Sequence, residues 1–118
     1  MRTQPLILAL AVLGLAGCAN DPAPEEQMRI SEQALDQAKA VGATADEVPE
    51  MKLAEDKFNR AKGNMTDESF KNARMRAEQA ELDARLAEAK VLTQKSEEQL
   101  NVLNTRIIRL RKQLGDAQ

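Results

Sequence analysis

Apolar positions along the chain fall into one unbroken run followed by three periodic stretches. Leu6 to Ala16 contains nothing more polar than Gly and follows the lone charge of Arg2. At about 11 residues the run is well short of the roughly 20 that cross hydrocarbon as a permanent helix. It reads as a signal peptide that is cut away after export. Beyond a polar stretch, Ile30, Ala34, Leu35, Ala38 and Val41 recur at helical spacing and predict a first helix from about Glu25 to Val41. Glu25 and Glu26 suit the positive end of its dipole, and Gly42 closes it. Thr44 to Val48 is a connector: Val48 precedes Pro49 and is biased toward extended geometry, while Pro49 suits a first helical position. A capping box at Thr44 and Glu47 is the competing start. The second helix, about Pro49 to Lys62, puts Met51, Ala54, Phe58 and Ala61 on one face, with Gly63 as its stop. Thr66 then caps a third helix with Asp67 and Glu68 in its first turn.

From Asp67 to Leu114 there is no Gly and no Pro. If continuous, that helix is on the order of 70 Å long, against roughly 20 to 25 Å for each earlier one. Its first half carries Phe70, Ala73, Ala77, Ala80, Ala84, Ala87 and Val91 in a three-four rhythm, an alanine seam suited to close packing against the Met51 and Phe58 face. Its second half carries Leu100, Leu103, Ile107, Leu110 and Leu114 in the same rhythm. Traced back through Ser96, Thr93, Ala89 and Leu86, this stripe lies two positions out of phase with the alanines. Two positions are about 200° around a helix, so the stripe faces nearly the opposite way. No other predicted element is long enough to bury it. Five large aliphatics in one stripe form a patch that soluble monomers rarely leave bare, which points to an intermolecular surface, most simply a coiled coil with another copy. The fold class is all-α: two short helices and one long C-terminal helix, a helical hairpin domain over residues 26–91 whose long arm continues as a coiled-coil-like segment over residues 92–118.

Composition narrows the chemistry. There is no His, Trp or Tyr, and there are two Phe, one Cys and five Gly. Without His, a Ser/His/Asp triad, a Cys/His pair and a pH switch near neutrality are impossible. No Gly-rich phosphate loop and no Cys or His cluster is present, and no loop has the spacing a calcium site needs. The chain is therefore read as a non-enzyme without a cofactor. A formal charge of -2 and the scarcity of aromatics argue against nucleic acid as a partner.

The edge of the apolar run is more specific. Leu15, Ala16, Gly17 and Cys18 look like the lipobox of bacterial lipoproteins, in which the Cys takes a diacylglycerol on sulfur, becomes the new N-terminus and is acylated there. Residues 1–17 are then the cleaved leader, and residues 18–25, with Pro22 and Pro24, a short semi-stiff tether. Several acyl chains together make a stable anchor where one alone is marginal. Ala19 stands where an Asp resembles the signal for retention in the inner membrane. The resemblance therefore favours the outer membrane, with the body on its periplasmic face.

Charge divides along the chain. Residues 19–50 hold eight acids and two bases, residues 51–98 ten of each, and residues 99–118 one acid and four bases. The pairs Asp56/Arg60, Asp67/Lys71 and Glu81/Arg85 have helix-stabilising i,i+4 spacing and read as a solvated face. Arg106, Arg109, Arg111 and Lys112 are candidates for gripping anionic wall polymer or phospholipid headgroups. Complementing the helix C-terminal dipole is the competing role, and the favoured one.

The stretch from Gly42 through Lys90 carries a family resemblance. Its pieces are Val48-Pro49-Glu50, Lys52-Leu53-Ala54, Lys57-Phe58, Ala61-Lys62-Gly63-Asn64 and the alanine-rich run from Ala77 to Lys90. Together they resemble a family of small Gram-negative envelope lipoproteins known as a domain of unknown function, number forty-three ninety-eight. This chain has Val48 where such members often have Ala, and Met65 where an aromatic often follows. The resemblance implies a tetratricopeptide-like helical hairpin and an envelope role, and brings no catalytic residues. Some members carry a peptidoglycan-binding domain similar to that of outer-membrane protein A. A weaker architectural resemblance is to the major outer-membrane lipoprotein, which is joined to peptidoglycan through a C-terminal Lys. Here the last Lys is Lys112, inside the predicted helix. The expectation is a structural or adaptor lipoprotein whose partners are the membrane, through its anchor, and a second copy or another envelope protein. The alternative is noncovalent peptidoglycan or envelope-complex binding through the basic end.

Overall fold

The structure, a computed structural model, describes residues 21–117. The expected signal peptide and lipobox, with Cys18, lie outside the described residues. Three helices and no strand are present among those residues: α1 Glu25–Ala40, α2 Pro49–Thr66 and α3 Phe70–Asp116. The all-α architecture with one long C-terminal helix is thus the observed one.

Periodicity explains how the helices meet. Met51, Ala54, Phe58 and Ala61 are the buried residues of α2. Ala73, Ala77, Ala80, Ala84 and Ala87 are those of α3, each fully buried. Alanine in that seam lets both shorter helices approach the α3 backbone closely, with Met51 and Phe58 filling the space between. On α1, Ala34, Leu35 and Ala38 are buried, and Ile30 and Val41 are half-buried. Ser31 is buried as well. Its hydroxyl can donate to the carbonyl of Ala77 on α3, 2.7 Å away, or to that of Gln27, 2.8 Å away. A buried hydroxyl is tolerated only with such a partner.

Cross-helix contacts fix the directions. Ser31 meets Ala77 and Val41 meets Lys95, so α1 runs parallel to α3. Glu50 pairs with Lys90, and Lys57 with Asp83 at 2.5 Å, so α2 runs antiparallel to both. The chain therefore enters the bundle at the end where α3 begins.

Both interhelix turns use the same C-cap. After α1, Gly42 takes φ +98°. Its N–H donates to Lys39 and that of Ala43 to Ala38, both at 2.9 Å. This is the crossed pair of bonds of a Schellman motif, with Ala43 and Ala38 buried as its apolar contact. After α2 the expected stop at Gly63 is not used. The helix continues to Thr66, Glu68 takes φ 55°, and the N–H groups of Glu68 and Ser69 donate to Met65 at 3.2 Å and Asn64 at 2.8 Å. The reason is the apolar rhythm, which runs from Phe58 through Ala61 to half-buried Met65, so stopping at Gly63 would forfeit a turn of contact. A Gly inside a helix costs only about 1 kcal/mol relative to Ala. Thr66 is accordingly not an N-cap: its hydroxyl donates back to Lys62 at 3.2 Å. Ser69 precedes the first residue of α3 without a side-chain cap, and Asp67 and Glu68 form the turn. The start of α2 at Pro49, and not the capping box at Thr44, is the one observed.

Candidate association surface on the long helix

The bundle releases α3 at a definite point. Val91 is the last half-buried residue, and every described residue after it is exposed. Just beyond, Lys95 donates to the carbonyl of Val41 at 2.7 Å, placing a cation on the C-terminal end of α1 where dipole and open carbonyls favour it. From there about 21 residues, roughly 32 Å of helix, project past the bundle. The helix is continuous through Thr93 and Ser96, and the Ser96 hydroxyl donates to Leu92 at 2.9 Å.

This projecting segment carries the leucine stripe. Leu100, Leu103, Ile107, Leu110 and Leu114 are all exposed, from 45% at Ile107 to 70% at Leu114. None finds cover among the described residues. In a heptad with Leu100, Ile107 and Leu114 at a, the residues Leu103 and Leu110 fall at d, and the buried alanines fall at b and f on the far side. The same a/d register runs back over the bundle through Leu86, Leu82 and Met75, which are 48%, 67% and 43% exposed. From residue spacing this line is traced as far as Leu86. Its extension to Met75 is visible once α3 is seen to bury one side and bare the other.

The four basic candidates do not converge. At about 100° per residue, Arg106 and Arg111 lie on opposite flanks of the stripe, while Arg109 and Lys112 lie round the back. All four are exposed, and none forms an ion pair among the described residues. Of the three i,i+4 pairs read from sequence, Glu81 and Arg85 meet at 2.8 Å, whereas Asp56/Arg60 and Asp67/Lys71 are not within ion-pair distance.

Polar ties between helices were not legible in the sequence. Lys39 on α1 meets Glu55 on α2 at 3.0 Å, across the groove above Phe58. Lys62 sits 5.0 Å from the centre of the Phe58 ring, a cation–π distance. Gln27 donates to Glu81 at 2.8 Å, and that bond, helped by Arg85, holds the Glu81 carboxyl below its ordinary range despite partial burial. The Lys90 ammonium does the same for Glu50, with the backbone N–H of Glu50 assisting; its second oxygen is buried without a partner among the described residues. These contacts fasten the bundle and present no converging catalytic group. No set of three or more His, Cys, Asp or Glu is placed to hold a metal ion among the described residues. No helix among them is long and apolar enough to cross a membrane.

Comparison with known proteins places these features in context. The family model described as Domain of unknown function (DUF4398) matches residues 26–103. That stretch takes in the bundle and the first turns of the projecting segment. A crystal structure of a DUF4398 family protein from Pseudomonas aeruginosa PAO1 is similar at 66% identity, with a TM-score of 0.79, covering 82% of this chain and 100% of that one. No curated protein matches the chain.

Proposed function

The chain belongs to the DUF4398 family, and we propose that it is a lipid-anchored structural or adaptor lipoprotein of the cell envelope that acts through helix–helix association. The observation that carries this reading is the aliphatic stripe from Leu100 to Leu114, bare on a helix that extends beyond its own bundle. A stripe of this kind gains by leaving water against another helix, at about 25 cal/mol per Å² of apolar surface covered.

The direction of α3 supports the same division of labour. The tether enters α1 after Pro24, beside the start of α3, so the stripe points away from the anchored end. Cys18 is the proposed acylation site, with Leu15, Ala16 and Gly17 as its recognition sequence. Ala19 in place of Asp favours the periplasmic face of the outer membrane. The alternative, peptidoglycan held through Arg106, Arg109, Arg111 and Lys112, gains little support from four cations that point in different directions.

Two experiments test the proposal. Replacing Leu103 and Ile107 together by Asp puts two charges into the stripe, and burying them without partners is costly. Crosslinking of that variant in membranes should fall to background while the bundle stays folded; undiminished crosslinking would remove the stripe from the account. For the anchor, Cys18→Ser should shift the chain from the processed membrane-bound form to an uncleaved or soluble one. Acyl labelling that survives the substitution would contradict the lipobox reading.

A further inference from the structure

We infer that the partner of the stripe is a second copy of this chain, paired antiparallel, with the two-fold axis between Leu103 and Ile107. The inference rests on the association reading above and adds to it an occupant, a direction and a register.

The stripe is palindromic. About residue 105, Leu103 and Ile107 stand two positions to either side, and Leu100 and Leu110 five. An isologous interface requires one patch to be its own complement under rotation, and this spacing meets that requirement. Reversed on itself, the stripe stacks Leu100 on Leu110 and Leu103 on Ile107, giving four successive aliphatic layers. Leu114 then lies over Ser96, whose hydroxyl is already bonded to Leu92. Shifting one heptad so that Leu100 meets Leu103 sets Ile107 over Ser96 and Leu110 over Thr93. Shifting the other way, so that Ile107 meets Leu110 and Leu103 meets Leu114, keeps four aliphatic layers and sets Leu100 over Ala117, so packing alone does not separate these two registers.

The flanking charges separate them. In an antiparallel pair, e positions face e positions and g positions face g. The register centred between Leu103 and Ile107 brings Glu97 against Arg111 of the other copy, twice by symmetry, whereas the shifted one sets Arg111 against Asn104 and forms no opposite-charge pair. Asn104 meets Asn104, and Gln99 meets Gln113. The one like-charged contact is Arg106 with its own copy, and each long, exposed guanidinium can turn to solvent there.

A parallel, in-register pair fares worse. There each g residue faces the e residue five positions on. The charged pairs between residues 71 and 111 are Lys71 with Arg76, Glu78 with Asp83, Arg85 with Lys90, and Arg106 with Arg111. Every one is like-charged, and like charges at such contacts destabilise. The antiparallel pair also separates the two tether ends by on the order of 100 Å, since each copy contributes about 35 residues of α3 before the axis.

The test uses the full chain in its native membrane, where Cys18 is the sole native cysteine and the parent chain is the control. Oxidation of the L100C/L110C variant should give a covalent dimer, and L100C, L110C or L103C alone should not. Arg111→Glu should weaken association at least tenfold, and E97R/R111E should restore it. Parallel pairing reverses two of these outcomes: L103C alone crosslinks, and Arg111→Glu strengthens association by relieving its contact with Arg106. Either result, or an associated chain with no L100C/L110C dimer, overturns the antiparallel register and leaves the association reading standing. A crosslinked band containing a different protein overturns the second-copy assignment. A monomer that crosslinks with nothing overturns both.

Discussion

Glu68 is a residue in a glycine's position. Gly42 and Glu68 hold the same left-handed place in the same C-cap, yet Glu68 carries a Cβ into a conformation that disfavours it. Glu68→Gly relieves a left-handed cost of roughly 1–2 kcal/mol against roughly 0.4–1 kcal/mol for a freer unfolded chain, and the balance, about 0.5–1 kcal/mol of stabilisation, should raise the melting temperature by roughly 2–8 °C. Thermal unfolding followed by circular dichroism measures this, and an unchanged or lower midpoint would contradict it. The position is hard to read from sequence because a helix end is set by where its apolar contacts cease, and those reach Met65, beyond Gly63. Ser31 escaped the periodic reading for a related reason. Its side chain is polar, and the carbonyl that satisfies it belongs to Ala77, 46 positions away.

The elements were far more legible than their ends. Met51, Ala54, Phe58 and Ala61 on α2, and the alanines from Ala73 to Ala87 on α3, are the faces that the three-four rhythm marks out. The rhythm works because a helix buries a stripe, and these stripes hold no polar interruption. The seam on α3 also sets how close the helices lie. Ala84→Leu would force a larger side chain between α3 and its neighbours and should destabilise the bundle by about 1–3 kcal/mol, read as a lower midpoint in denaturant. No change there would mean that the helices are not packed backbone to backbone along the seam. The ties of Lys39 to Glu55 and Lys57 to Asp83 were invisible beforehand, since charged surface positions carry no periodic signal of their tertiary partners.

At the scale of the molecule, a small bundle supports a helix more than twice as long as either companion. Two faces of that helix differ: alanines at b and f gather α1 and α2, while on the a/d line Met75, Leu82, Leu86 and the stripe from Leu100 to Leu114 stay exposed. The out-of-phase seams are readable from residue spacing alone; what spacing does not give is the distance along α3 at which its companions end, near Val91. If the bare line is an association surface, sedimentation equilibrium of the full chain in density-matched detergent over a range of concentrations will register it as mass. The expected result is a protein mass of two chains that falls to one on Leu103→Asp with Ile107→Asp, an effect of at least ~100-fold in the dissociation constant, or about 2.7 kcal/mol. A mass of one chain at every concentration, before any substitution, would contradict it.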